Sequence, residues 1–180
     1  MENFRNRLAN SIRNIDDFPK PGIKFKDITP ILLDASLCNE IAEETLMSFR
    51  NNNLKIDAIC AIESRGYFIG MLLAQKLGIP LIPIRKAGKL PAATRAFTYE
   101  LEYGTSTLEI HKNVIKPDWN VLIHDDLLAT GGTAVATAEL VKAEGGLITG
   151  FSFIIELDLL NGREKLLPYS QNILSLSRFQ

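Results

Sequence analysis

Cysteine is nearly absent from this chain. Cys38 and Cys60 are its only two, too few for a disulfide framework and without metal-ligand spacing, so a reducing, cytoplasmic setting is the simpler expectation. Long apolar runs are missing as well: nothing approaches the ~18 residues that cross a bilayer, and the first residues lack the hydrophobic centre of a secretory signal. Phe4, Leu8, Ile12 and Ile15 have the spacing of a packed N-terminal helix, with Arg5, Arg7 and Arg13 among them. Neither sign of charge dominates. The 20 Lys and Arg nearly balance the 21 Asp and Glu and are scattered, so the footprint of a nucleic-acid or anionic-membrane binder is lacking. The dinucleotide fingerprint G-x-G-x-x-G and the ATP loop G-x-x-x-x-G-K-[ST] do not occur either.

What remains is 180 residues, 46% of them hydrophobic, with no repeat, low-complexity tract or linker. That suffices for one domain, residues 1–180, burying about 70% of its unfolded surface. The expected partners are small molecules or protein.

The informative stretch is Val121 to Thr133, VLIHDDLLATGGT. A short β-prone run, Val121 to Ile123, precedes Gly131-Gly132, and an apolar-periodic segment, Ala134 to Ala143, follows, giving strand, loop, helix. The loop therefore meets a helix N-terminus, where free N–H groups and the helix dipole favour an anion. Gly131 and Gly132 permit close backbone approach, and Thr130 and Thr133 add hydroxyl donors, which suits a phosphate monoester. Asp125 and Asp126, at the strand's carboxyl end, would repel a bare phosphate but can accept from the two hydroxyls of a ribose. Turns collect Asp and Gly for backbone reasons alone; the flanking strand and helix make this one a site.

Similar junctions recur. Ile56 to Ile62 reads as a buried strand before Glu63-Ser64-Arg65-Gly66-Tyr67, where Arg65 either clamps an anion or pairs with Glu63 on the surface. An apolar helical pattern then runs through Phe68 and Leu72 to Gly78. Leu81 to Ile84 is a further short strand, and Arg85, Lys86 and Lys89 follow it as a basic cluster. Leu37 to Leu54 is a plausible amphipathic helix with Ile41, Thr45 and Met47 facing inward; Ala92 to Thr107 reads as a hairpin or flap. Ile148 to Leu157 is β-prone, Asn161 to Leu167 a short helix candidate, and a last strand lies around Ile173. Strands alternating with helices imply a three-layer α/β domain with a mainly parallel central sheet.

These residues resemble a known family. VLIHDDLLATGGT is similar to the phosphoribosyl pyrophosphate (PRPP) motif of the type I phosphoribosyltransferases, and DDLLATGGT to its form in the adenine-specific enzymes; ESRGY, LEYG and FPKPGIKFKDITP extend the likeness over nearly the whole chain. His124 departs from the pattern, which has an aliphatic residue there. A strand histidine with its hydrogen bonds satisfied is the expected reading.

The resemblance implies adenine and PRPP giving AMP and pyrophosphate, with Mg2+ held mainly through PRPP and water, in a cytoplasmic homodimer. It implies a hood over residues 14–30 in which Phe25 stacks on adenine, the Lys24 carbonyl and Lys26 N–H meet the base edge, and Leu127 covers the other face. It assigns Ser64 and Arg65 to a pyrophosphate loop containing a cis peptide within Glu63-Ser64-Arg65. Asp125, Asp126, Leu127, Ala129, Thr130, Gly131, Gly132 and Thr133 become the ribose-phosphate site, with Arg85, Lys86 and Lys89 as further cations. Residues 86–106 become a flexible catalytic loop carrying Glu102 and Tyr103. Two alternatives stay open: a 6-oxopurine or xanthine phosphoribosyltransferase, and a regulatory module that senses PRPP or a nucleotide without turnover.

Overall fold

The computed structural model describes residues 4–100 and 104–180. Five helices and nine strands follow in the order α1 (Phe4–Ser11), β1 (Arg13–Ile15), β2 (Phe25–Asp27), α2 (Thr29–Leu32), α3 (Ala35–Asn51), β3 (Ala58–Ile62), α4 (Gly66–Leu77), β4 (Leu81–Lys86), β5 (Thr94–Glu100), β6 (Thr105–His111), β7 (Asn120–Leu128), α5 (Gly132–Ala143), β8 (Leu147–Leu157) and β9 (Ile173–Phe179). Two 3-10 turns, Asp158–Leu160 and Gly162–Lys165, join β8 to β9.

Seven strands form one sheet in the order β5-β6-β4-β3-β7-β8-β9, while β1 and β2 pair separately. From β4 to β9 every neighbouring pair is parallel, and the β5–β6 hairpin adds two antiparallel strands at one edge. Alternation along β3 builds three layers. Ala58, Cys60 and Ile62 join one core with Ala134, Ala138 and Val141 of α5, whereas Ile59 joins another with Ile41 of α3 and Ile69 and Leu73 of α4. The three-layer, mainly parallel α/β expectation is what the chain adopts.

Local chemistry accounts for the helix ends. Asp34 caps α3 by accepting the Leu37 N–H at 2.9 Å, and Gly78, at φ 67°, closes α4 in the left-handed conformation. Gly70 lets α4 press on the sheet, since a Cβ there would sit 2.9 Å from Ala61 Cβ.

Three expectations need correction. Met47 is 51% exposed, because it lies two positions, or about 200° of turn, beyond the buried Thr45. The strand expected to stop at Ile84 continues to Lys86, since β6 offers Glu109 and Leu108 as partners to Arg85 and Lys86. The helix expected over Asn161 to Leu167 is a 3-10 turn, entered through a left-handed Asn161 (φ 50°) and followed by Pro168, which disfavours helical geometry at Leu167.

Candidate active site

β3 and β7 lie side by side, and the chain leaves them in opposite directions: through α4 to β4 on one face, through α5 to β8 on the other. The carboxyl ends of two such strands open a crevice at a topological switch point. The segments singled out in the sequence meet there.

On the β7 side, Asp125, Leu127, Leu128, Ala129, Thr130, Gly131, Thr133 and Ala134 line, with Phe153, a cavity of about 70 Å3, room for a few water-sized groups. Gly131 has φ 79°, and a Cβ on it would fall 2.6 Å from the Gly162 carbonyl oxygen, so both conformation and space require glycine. Tyr99 of β5 lies over Gly132, and its hydroxyl is 3.1 Å from Thr133 Oγ1. The sequence reading gave Tyr99 no role; only the hairpin's fold over α5 brings it to the loop.

On the β3 side, the Glu63–Ser64 peptide is cis and Ser64 is exposed. Arg65 Nε stands 3.0 Å from Asp126 Oδ2, a charge contact outside hydrogen-bond alignment, and its guanidinium carbon is 5.0 Å from the Phe25 ring centroid. Arg65 is therefore not the surface partner of Glu63. Glu63, its side chain only 7% exposed, pairs instead with Arg85 Nε at 3.2 Å and Lys89 Nζ at 2.9 Å. Burial alone would raise the Glu63 pKa, but Lys89, the Lys86 N–H and Arg85 outweigh it and hold the carboxyl below its usual range. Lys86 is exposed.

The two aspartates sit where ionisation is costly. Burial and then the Asp126 charge push the Asp125 carboxyl well above its ordinary value; burial also raises Asp126, against the opposing pull of Arg65. Gly66 packs onto this strand so closely that a Cβ would lie 3.0 Å from Asp125 Oδ1 and from the His124 carbonyl. His124 is buried on the α4 side, with Nδ1 2.8 Å from Ser152 Oγ and Nε2 without a hydrogen bond. The histidine is thus only half satisfied. Burial holds its imidazole down to about 4, leaving it neutral.

Across the crevice, Phe25 on β2 meets Phe18 edge to face, the centroids 5.1 Å apart at 75°. Lys24 is exposed, while Lys26 turns the other way, giving a hydrogen bond to Asn14 Oδ1 at 2.7 Å and standing 3.9 Å from the Phe179 ring centroid. Leu127 lines the β7-side cavity and packs on the α3–α4 core. Glu102 and Tyr103 lie outside the described residues. Among the described residues no three His, Cys, Asp or Glu side chains converge as a metal site. Asp125 and Asp126 offer one or two carboxylates, the donor set that suits Mg2+ carried largely by substrate phosphates and water.

Comparison with known proteins shows the family. Residues 26–164 match the phosphoribosyl transferase domain family. The chain is 50% identical to the adenine phosphoribosyltransferase of Cytophaga hutchinsonii over 172 residues, 96% of this chain and 94% of that one. The crystal structure of adenine phosphoribosyltransferase from Thermoanaerobacter pseudethanolicus superposes with a TM-score of 0.92 at 48% identity, covering 97% of this chain and 99% of that chain. The Saccharomyces cerevisiae enzyme, crystallised with adenine and an imino-altritol bisphosphate, gives 0.90 at 38% identity over 96% and 98%. With its switch-point crevice, its glycine cradle and relatives matched over nearly their full length, the chain belongs to the adenine phosphoribosyltransferase family.

Proposed function

We propose that the chain moves the 5-phosphoribosyl group of PRPP onto N9 of adenine, giving AMP and pyrophosphate. One observation carries the reading: Arg65 touches both Asp126, at 3.0 Å, and the Phe25 ring, at 5.0 Å. An aromatic for the base, a carboxylate for the ribose and a cation for the diphosphate are thereby within one side chain of each other.

The bond from C1 of the ribose to the pyrophosphate oxygen breaks with its electron pair going to the leaving group. N9 of adenine then supplies the pair for the new bond to C1, and its proton is lost. Arg65, Arg85 and Lys89 hold the leaving charge, the Ala129–Thr133 loop holds the 5-phosphate, and Asp125 and Asp126 fix the ribose hydroxyls. Ser64 and Lys86 border the diphosphate from exposed positions. Asp125 and Asp126, together with substrate oxygens and water, would hold Mg2+, which would add to the neutralisation of the diphosphate.

A homodimer fits two large apolar side chains left open on α4, Phe68 and Met71, 50% and 55% exposed. A cytoplasmic location fits the two buried free thiols, Cys38 and Cys60; no helix of the described residues is long and apolar enough to cross a membrane.

The test is pyrophosphate release from PRPP and Mg2+ with adenine, hypoxanthine, guanine and xanthine supplied separately. Turnover with adenine alone is expected. Preference for an oxopurine would replace the base assignment, and binding without turnover of any base would replace the enzyme reading.

A further inference from the structure

The 5-phosphate loop does not shape itself. Against it, though not among the residues that line the cavity, lies the backbone of Gly162, which begins the second 3-10 turn after β8. A Cβ on Gly162 would drive into the Ala129 carbonyl oxygen and lie 2.9 Å from the Gly131 nitrogen, while a Cβ on Gly131 would meet the Gly162 carbonyl oxygen at 2.6 Å. The two backbones are thus in direct contact. Gly162 is buried and is not among the residues with positive φ, so its glycine requirement is one of space alone.

The next residue fixes that turn. Arg163 Nε donates to Glu156 Oε1 at 2.9 Å and Nη2 to Glu156 Oε2 at 2.5 Å; Nη1 donates to the Ile173 carbonyl at 2.9 Å and Nη2 also to Ser175 Oγ at 3.3 Å. Glu156, 3% exposed, is the register partner of Leu128, the residue just before the loop. The guanidinium fork therefore ties the turn to β8, beside the loop, and to β9. Leu166, fully buried in the α5-side core, anchors the turn's far end.

We infer that Gly162 and Arg163 are positioning residues that set the width of the 5-phosphate cradle, Gly162 as the backing of its loop and Arg163, through Glu156, as the brace. The inference rests on the reading of Ala129–Thr133 as the 5-phosphate loop. A backing displaced outward or inward changes where the loop N–H groups point, and misplacement near 1 Å costs on the order of 100-fold in catalysis.

Ribose 5-phosphate binding to the wild-type protein, by calorimetry, comes first; absence of binding would sink the phosphate-loop reading itself. Gly162→Ala is then expected to weaken ribose 5-phosphate and raise the KM for PRPP by ~10- to 100-fold, with the KM for adenine at saturating PRPP within about twofold. Arg163→Met should show the same split more weakly, and Arg163→Lys, which keeps the charge but not the fork, should lie between it and wild type. These two, with Glu156→Gln, carry the test if Gly162→Ala does not fold. Unchanged ribose 5-phosphate affinity in folded variants, or equal losses toward PRPP and adenine, would overturn the positioning role.

Discussion

Lys26 holds its ammonium group 3.9 Å from the centroid of the Phe179 ring, which pins β2 to β9, the edge strand of the main sheet. Burial, with a smaller effect from Lys24, lowers the Lys26 pKa. A cation over a ring gives about 0.5–1 kcal/mol when exposed and about 2 when desolvated. Phe179→Leu should therefore raise the KM for adenine by roughly 2- to 30-fold and leave the KM for PRPP unchanged. Initial rates with each substrate varied would show this; a loss shared by both substrates would mean that Phe179 supports the whole fold instead.

In the proposed function Arg65 serves PRPP rather than AMP, because AMP lacks the diphosphate. Arg65→Ala should cut turnover with PRPP strongly while AMP affinity changes little. Comparable losses in both measurements would move Arg65 from the diphosphate to the ribose.

Asp125 and Asp126 trade stability for binding. The folded protein retains protons on this pair at pH values where the unfolded chain has released them, so its contribution to stability falls as pH rises above ~4. Asp125→Asn should raise the ligand-free Tm at pH 7 by about 2–4 °C per kcal/mol recovered and flatten this slope, while turnover drops. A lower Tm for the variant would show that the charge is not the costly element.

His124 acts in a different pH window and with the opposite sign. Its folded pKa of about 4 lies below the unfolded value near 6.5, so only the unfolded chain takes up a proton between them and stability falls as pH drops through that range. The full loss is about 3 kcal/mol. His124→Val with Ser152→Ala should remove it, and urea titrations at pH 7 and pH 5 would compare the slopes. Equal acid losses in variant and wild type would place the sensitivity elsewhere.

Base choice is expected to ignore side-chain chemistry on β2. Lys24 is exposed and Lys26 is engaged by Asn14 and Phe179, which is compatible with the base-edge contacts that the family resemblance assigns to the backbone on either side of Phe25. Lys24→Ala should spare the preference for adenine over hypoxanthine, whereas Phe25→Ala should lose about 1–3 kcal/mol of base affinity. Hypoxanthine turnover equal to adenine in Lys24→Ala would assign the reading to the side chain.

The parts of the site that could be read in the sequence are those coded within a few residues. Asp125 to Thr133 carries strand, carboxylates, glycines and helix start in one run, whereas the Glu63–Gly66 turn by itself leaves Arg65 open between an anion clamp and a surface pair, and its cis peptide is expected only from the family resemblance. What escaped reading depends on distant chain segments. Tyr99 reaches Thr133 only because the β5–β6 arm folds over α5, and Arg163 reaches Glu156 only after β8 turns back. Gly162 falls inside the expected Asn161 to Leu167 helix, and nothing in Asn161-Gly162-Arg163 announces that Ala129 and Gly131 lie against it. Met47 was misplaced because a single apolar residue does not reveal which side of the α3 stripe it occupies.

The ion-pair trio at the end of β4 bears on how readily product leaves. Glu63 already occupies Arg85 and Lys89, so the trio presents one net positive charge rather than two to the diphosphate proposed to bind there. If these cations hold the leaving group as proposed, Glu63 is a built-in competitor for them: the carboxylate would take the cations back as pyrophosphate departs, without any change of fold.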